Sequence, residues 1–266
     1  MKIVKKYPDG MFSWVDLATT DIAGAHAFYS GLFGWEPDPA PLPGGGSYTN
    51  FRIDGYSVAG AGQIPPDMAA SGMPPVWTSY VNYSDIDALA ARVAEAGGTV
   101  LFPPMDIMDQ GRMVMFQDPT GAAFGAWQPA AHIGAQVVNQ PNSLVWNELQ
   151  TRDPETAIAF YNKVFGWVEQ SDPHYTMWQD GNGRFHCGLV RIGESWGDMP
   201  ANWLAYFLVE DVDAAAARAV ELGGVVHHGP ADFGDMGRLA VLGDPQGATF
   251  AVIRFNGPVD EPPGTE

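Results

Sequence analysis

The sequence predicts an α+β protein in which four βαβββ modules pair into two cupped-sheet domains. Three observations predict it: an internal duplication, a strand running into a capped helix twice within each copy, and glycine-bounded extended segments after the helices. The duplication is plainest between Trp14 and Trp35, WVDLATTDIAGAHAFYSGLFGW, and between Trp146 and Trp167, WNELQTRDPETAIAFYNKVFGW, where eleven of twenty-two positions are identical. Further landmarks keep the same order. WTSYVNYSDIDA from Trp77 matches WLAYFLVEDVDA from Trp203, Gly97-Gly98 matches Gly223-Gly224, Gly111-Arg112 matches Gly237-Arg238, and DPTGAAF from Asp118 matches DPQGATF from Asp244.

Each element has its local reason. Ser13 to Ala18 alternates as a short strand and runs into Asp21, a good N-cap, after which Ile22, Ala25, Phe28, Tyr29 and Phe33 recur at helical spacing. The second copy adds Pro154 after Asp153, where a first-turn proline is favoured. Extended segments follow around Tyr48 to Ala61 and Tyr175 to Ile192. A second strand, Trp77 to Tyr83, leads to a helix over Asp85 to Ala96 with Ile86, Leu89, Ala90 and Val93 on one face, stopped by Gly97-Gly98. Three more strands complete the unit. The run Gly44-Gly45-Gly46 has no following Lys-Ser/Thr pair and reads as a loop, not a phosphate cradle. The predicted boundaries are a first domain over 1–130, a linker over 131–142, a second domain over 143–256 and a flexible tail over 257–266.

Composition narrows the partners. The chain has 13 Lys and Arg against 31 Asp and Glu, a net charge of -18, which repels phosphate backbones and anionic lipid. Nucleic acid and membrane are therefore not expected as partners, and the assembly is left open between monomer and homodimer. Cys187 is the sole cysteine, so no internal disulfide or thiolate cluster can form. The start, MKIVKKYPDG, has basic residues without an apolar stretch behind them, and a cytoplasmic location is expected.

These runs together resemble the vicinal oxygen chelate superfamily, which includes glyoxalases, bleomycin resistance proteins and extradiol dioxygenases. The carriers are the strand-to-Asp-to-AFY-to-LFGW run, the strand-to-DxDA run and the DP-x-G turn, each present twice and together spanning nearly the whole chain. WVDL, DPTGA and GRM are similar to two-repeat glyoxalase-like proteins of actinomycetes. The resemblance implies a glyoxalase-like domain in each copy and a divalent metal held by His, Gln or Glu at three positions. Those positions fall on Trp14, Thr78 and Gly125, and on Trp146, Leu204 and Ala251, none of which is a usual ligand. No metal and no cofactor are therefore expected. Tryptophan walls, with small residues where a glutamate would reach in, suggest a pocket for an aromatic or heterocyclic guest.

Strand alternation puts Asp16 on the face of Trp14, and Glu148 on the face of Trp146. Each is a candidate acid or base, or else a structural carboxylate bonded to a neighbouring loop. Tyr80 and Tyr206 share the faces of Thr78 and Leu204, where their hydroxyls would orient a guest or simply pack. Trp127 and Arg112 complete the candidate ligand contacts, with an ion pair from Arg112 to Asp106 or Asp109, and from Arg238 to Asp232 or Asp235, as the plainer alternative. Met105, Met108, Met113 and Met115 would soften one side of the first pocket or fill core. His186 and Cys187 are strand neighbours pointing to opposite faces, which argues against a nucleophile and base pair.

Three functional readings follow. The first is binding of a small aromatic or carbonyl-containing organic molecule, for sequestration or resistance. The second is a metal-independent isomerase, lyase or hydratase using Asp16 or Glu148. The third is a glyoxalase or dioxygenase with relocated ligands, such as His174 or His186 with Glu148. Whether the protein is an enzyme stays open at this point.

Overall fold

The computed structural model describes every residue except Gly44 and Glu266, so the glycine loop after Leu42 is described only from Gly45 onward. The first repeat comprises β1 (Phe12–Thr19), α1 (Ile22–Phe33), β2 (Glu36–Pro41), β3 (Ser47–Ile53), β4 (Tyr56–Gln63), α2 (Pro66–Ala70), β5 (Val76–Asn82), α3 (Ile86–Glu95), β6 (Thr99–Ile107), β7 (Gly111–Gln117) and β8 (Ala123–Pro129). The second comprises β9 (Leu144–Thr151), α4 (Pro154–Phe165), β10 (Val168–Ser171), β11 (Tyr175–Gln179), β12 (Phe185–Arg191), β13 (Asn202–Leu208), α5 (Val212–Glu221), β14 (Val225–Phe233), β15 (Gly237–Gly243) and β16 (Thr249–Phe255).

Each repeat makes one eight-stranded sheet, ordered β2-β3-β4-β1-β5-β8-β7-β6 and β10-β11-β12-β9-β13-β16-β15-β14. Within a module the first strand runs parallel to the last, as β1 does to β4 and β5 to β8, while β1 and β5 join the two modules antiparallel. The four-module α+β plan is thus present, with α2 as an added short helix.

The helices start and stop as their sequences require. The carboxylates of Asp21, Asp85, Asp153 and Asp211 accept from the backbone N–H three residues on, satisfying first-turn donors. Gly34 and Gly166 close α1 and α4 in the left-handed region, at φ 72° in both.

The helices lie between the two sheets and tie them together. On α1, Tyr29 meets Trp77 of its own sheet edge-on at 5.3 Å, while Phe33 meets Phe207 of the other sheet at 5.2 Å. On α4, Tyr161 packs on Trp203 at 5.3 Å and on Phe124 of the first sheet at 5.7 Å. Val15, Leu17, Val81, Phe124 and Leu149 fill this shared interior. The opposite face of each sheet, carrying Trp14 or Trp146, is turned outward.

The connection over 131–142 is well anchored. Its Ala135 N–H donates to Ser13 O and its Gln136 N–H to Ser57 O, both at 2.7 Å, and Tyr7 donates to Ala135 O at 2.6 Å. The tail, expected to fray, runs back along the N-terminal segment: Pro262 and Pro263 are buried and Gly264 O accepts from Lys5 N. No described helix is long and apolar enough to cross a membrane.

Candidate functional site

Ladder register fixes what shares the outer face of the first sheet. One row across it reads Asn50, Gly60, Asp16 and Thr78, and the next reads Trp14, Tyr80, Gly125 and Met115. Paired residues in adjacent strands point the same way, so these side chains face one space. Trp127 and Met113 stand on the same face, whereas Arg112 alternates with Val114 and Phe116 toward the helices. Arg112 is therefore not brought to Trp14. Its guanidinium donates to Asp87 on α3 at 2.5 Å and to Asp106 at 3.0 Å, and Arg238 repeats the arrangement with Asp213 and Asp232.

A hydrogen-bonded chain runs through the cluster. Trp14 Nε1 donates to Tyr48 Oη at 3.0 Å, and Tyr48 Oη donates to Asp16 Oδ2 at 3.3 Å. Tyr80 stands on the neighbouring strand, and its hydroxyl, with that of Tyr48, helps to hold the Asp16 charge. Removal from water pushes the Asp16 carboxyl up to about 7, against the opposing pull of the two tyrosines. The carboxylate in turn holds both tyrosine hydroxyls above their ordinary values, beyond what burial does.

The second sheet repeats the chain with tighter geometry. Trp146 Nε1 donates to Tyr175 Oη, Tyr175 to Glu148 Oε2 and Tyr206 to Glu148 Oε1, each at 2.9 Å, and Gln150 adds a donor at 3.1 Å. Glu148 is 8 % exposed, its pKa raised first by burial and lowered by those three partners. Around it Leu204, Tyr206, Ala251 and Ile253 pack as an apolar cluster. Asp16, by contrast, stays half-buried among half-buried Thr78, Asn50 and Met115.

Several sequence expectations change here. Gly125 does not open a void, because the Tyr80 ring fills it: a Cβ at Gly125 would stand 2.2 Å from that ring. The hydroxyls of Tyr48, Tyr175 and Tyr206 are spent on the carboxylates. Tyr48 and Tyr175 were missed because the segments after Trp35 and Trp167 differ in length and do not align. The available signal was a glycine in mid-strand opposite each acid, Gly60 beside Asp16 and Gly188 beside Glu148, where a Cβ would strike the Tyr48 and Tyr175 hydroxyls.

The linker adds a further group. His132 sets its ring edge-on to Trp14, centroids 4.4 Å apart, and stands 5.7 Å from Trp127, whose Nε1 donates to His132 O. Burial lowers its pKa to about 4, aided by the charge of Arg52, so the imidazole is neutral at pH 7.

The donor set does not fit a divalent ion. The outer face of the first sheet offers Asp16, held by Tyr48, and Asp38, paired with Arg52, and that of the second offers Glu148, held by two tyrosines; among the described residues no group of three or more His, Cys, Asp and Glu could share a metal. His186 lies beside Trp167 at 4.8 Å, lining a cleft of about 50 Å³ between the repeats with Phe12, Asn147 and Arg184. Cys187 next to it is buried in the shared interior, as alternation predicts, and burial pushes its thiol up.

Comparison with known proteins accords with this architecture. A glyoxalase-like domain model matches residues 143–253, and the Glyoxalase/Bleomycin resistance protein/Dioxygenase superfamily model matches residues 12–125. The "Putative glyoxylase CFP32" of Mycobacterium tuberculosis is 43% identical over 255 residues, covering 94% of this chain and 96% of that one. The "Anthracycline biosynthesis protein DauV" of a Streptomyces species is 38% identical over 264 residues, covering 94% and 95%. Among solved structures, the Mn(II)-bound glyoxalase of Novosphingobium aromaticivorans superposes with a TM-score of 0.63 at 17% identity, covering 98% of this chain and 85% of that one. With its duplicated modules, its two cupped sheets and these matches over nearly its whole length, the chain belongs to the Glyoxalase/Bleomycin resistance protein/Dioxygenase superfamily.

Proposed function

We propose that the protein binds a small aromatic or carbonyl-containing organic molecule on the outer face of its first sheet, without the superfamily's usual metal, in a sequestering or resistance role. The observation that carries this reading is the Trp14–Tyr48–Asp16 chain, with Tyr80 on the adjoining strand, standing where the resemblance implies an ion. Trp14 and Trp127 supply flat apolar walls, Met113 and Met115 a soft side, and the carboxyl with its tyrosines a polar anchor. Two relatives are named for anthracycline biosynthesis, and an anthracycline carries a flat, hydroxylated, carbonyl-bearing polycycle of the class this face suits.

A second reading is favoured by one specific observation. Asp16 titrates near 7 beside two tyrosine hydroxyls, the poise of a group that takes a proton from carbon next to a carbonyl and returns it elsewhere. The protein would then be a metal-independent isomerase, lyase or hydratase. Glu148, closed over by Leu204 and its own tyrosines, is the weaker candidate for that role.

Equilibrium dialysis against a panel of naphthoquinones and anthraquinones in EDTA, with mass analysis of what is recovered, tests both readings. Saturable binding that weakens at least tenfold in Trp14→Ala, with the compound recovered unchanged, supports sequestration. Conversion lost in Asp16→Asn while binding persists establishes the enzyme. No binding across the panel overturns the proposed guest class.

A further inference from the structure

Three polar atoms on the outer face of the first sheet are buried and lack a partner: Oδ1 of Asn82, whose Nδ2 is tied to the N-terminal segment, Oδ1 of Asn50 and Nε2 of His132. Leaving a buried acceptor or donor unpaired is costly, so a site that keeps such atoms is built to meet something polar. Asn50 lies in the ladder row of Asp16, across Gly60, and His132 rests against Trp14, so both border the face that carries the carboxylate and the indole.

The second sheet sharpens the point. Its corresponding row reads Met177, Gly188, Glu148 and Leu204, so methionine stands for Asn50 and leucine for Thr78. Ile253 replaces Trp127, and no histidine lies on the chain after β16. The carboxylate chain is duplicated; the unpaired amide is not, and the second repeat's unpaired imidazole, His186, lies against Trp167 in the cleft between the repeats. Support of the acid by tryptophan and tyrosine is thus common to both halves, while an unpaired amide with an imidazole against the first-strand tryptophan belongs to the first.

We infer that Asn50 and His132 are specificity-determining residues of the first repeat, selecting an aromatic guest that carries both a free phenolic or enolic hydroxyl and a carbonyl on one ring system. This deepens the proposed function and rests on it. The amide oxygen of Asn50 can only accept, so the guest must donate to it, which an ether cannot do. The neutral imidazole at His132 donates or accepts according to its tautomer and pairs with the guest's second oxygen. A hydrophobic surface alone discriminates weakly against a methyl cap. A site with unpaired polar groups discriminates strongly, because the wrong guest leaves them unpaired.

Calorimetric titration of the full chain with 2-hydroxyanthraquinone and 2-methoxyanthraquinone is the test. Wild type is expected to prefer the hydroxyl compound about tenfold or more, and the ratio is expected to fall below about threefold in Asn50→Leu and in His132→Phe. Equal affinities in wild type, or a preference untouched by both substitutions, overturn the inference and leave the binding reading standing. Failure of both compounds to bind overturns the guest class itself. The wild-type comparison decides the matter even where a variant does not fold.

Discussion

Tyr29 of the first repeat and Asp244 of the second, 215 positions apart, share a hydrogen bond of 3.0 Å. Tyr161 and Asp118 share its counterpart at 2.9 Å, and in both places a tryptophan, Trp77 or Trp203, donates to the same tyrosine oxygen. The AFY and DP-x-G motifs that mark the duplication are thus two halves of one cross-repeat lock. Asp244 also receives the N–H groups of Gln246, Gly247 and Ala248, so a single carboxylate closes its turn and grips the opposite helix.

Tyr29→Phe is expected to cost about 1–3 kcal/mol, since it strands the Trp77 N–H and removes one donor from Asp244 in a dry interior. Tyr161→Phe should cost a similar amount. Urea melts of both variants should show one transition, shifted to lower urea, because the helices of each half are packed into the other. Two separated transitions, or no shift, would contradict the lock.

Asp16 makes stability pH-dependent in a stated direction. Its folded carboxyl titrates near 7, above an unfolded value near 4, so the folded state binds the extra proton between those limits. Its contribution is therefore most favourable below about pH 4 and falls as pH rises through 7, by up to about 4 kcal/mol. Asp16→Asn should gain on wild type steadily across that window and level off above it. Parallel stability curves for the two proteins would contradict the assignment.

Gly125→Ala should destabilise by about 1–3 kcal/mol, because its new methyl enters the Tyr80 ring at 2.2 Å. Combining it with Tyr80→Phe should not help, since the ring remains. Combining it with Tyr80→Ala should make the two losses less than additive. Thermal melts of wild type, the three single variants and the two double variants settle the point.

In the second sheet, Tyr175→Phe strips Glu148 of one of its three donors and leaves the Trp146 N–H unpaired. The carboxyl, already raised by burial, is expected to titrate higher still. Infrared difference spectra in the carboxylic C=O region, compared with Glu148→Gln, should show the protonated acid persisting to higher pH in Tyr175→Phe.

The duplication, the capped helices and the outward placing of Asp16, Glu148, Trp14 and Trp146 were all legible from spacing alone. Those features depend on local periodicity and turn chemistry, which a sequence displays directly. The crossing of helices between repeats was not legible, because Tyr29 and Asp244 carry no local sign of each other. Tyr48 and Tyr175 were hidden by hairpins of unequal length, and His132 by its position in a connection with no period at all. Gly125 misled for a related reason: a glycine reads as empty space until the ring of Tyr80 on the next strand is placed against it.

The face around Asp16 is proposed to take an organic guest and not an ion. Manganese(II) titration followed by electron paramagnetic resonance, on wild type and on the Asp16→Asn Glu148→Gln double variant, tests it most directly when repeated with 2-hydroxyanthraquinone bound in EDTA. No stoichiometric tight manganese is expected in either protein, and guest binding is expected to be undiminished in the chelator. One tightly held manganese per repeat, lost in the double variant and required for the guest to bind, would contradict it.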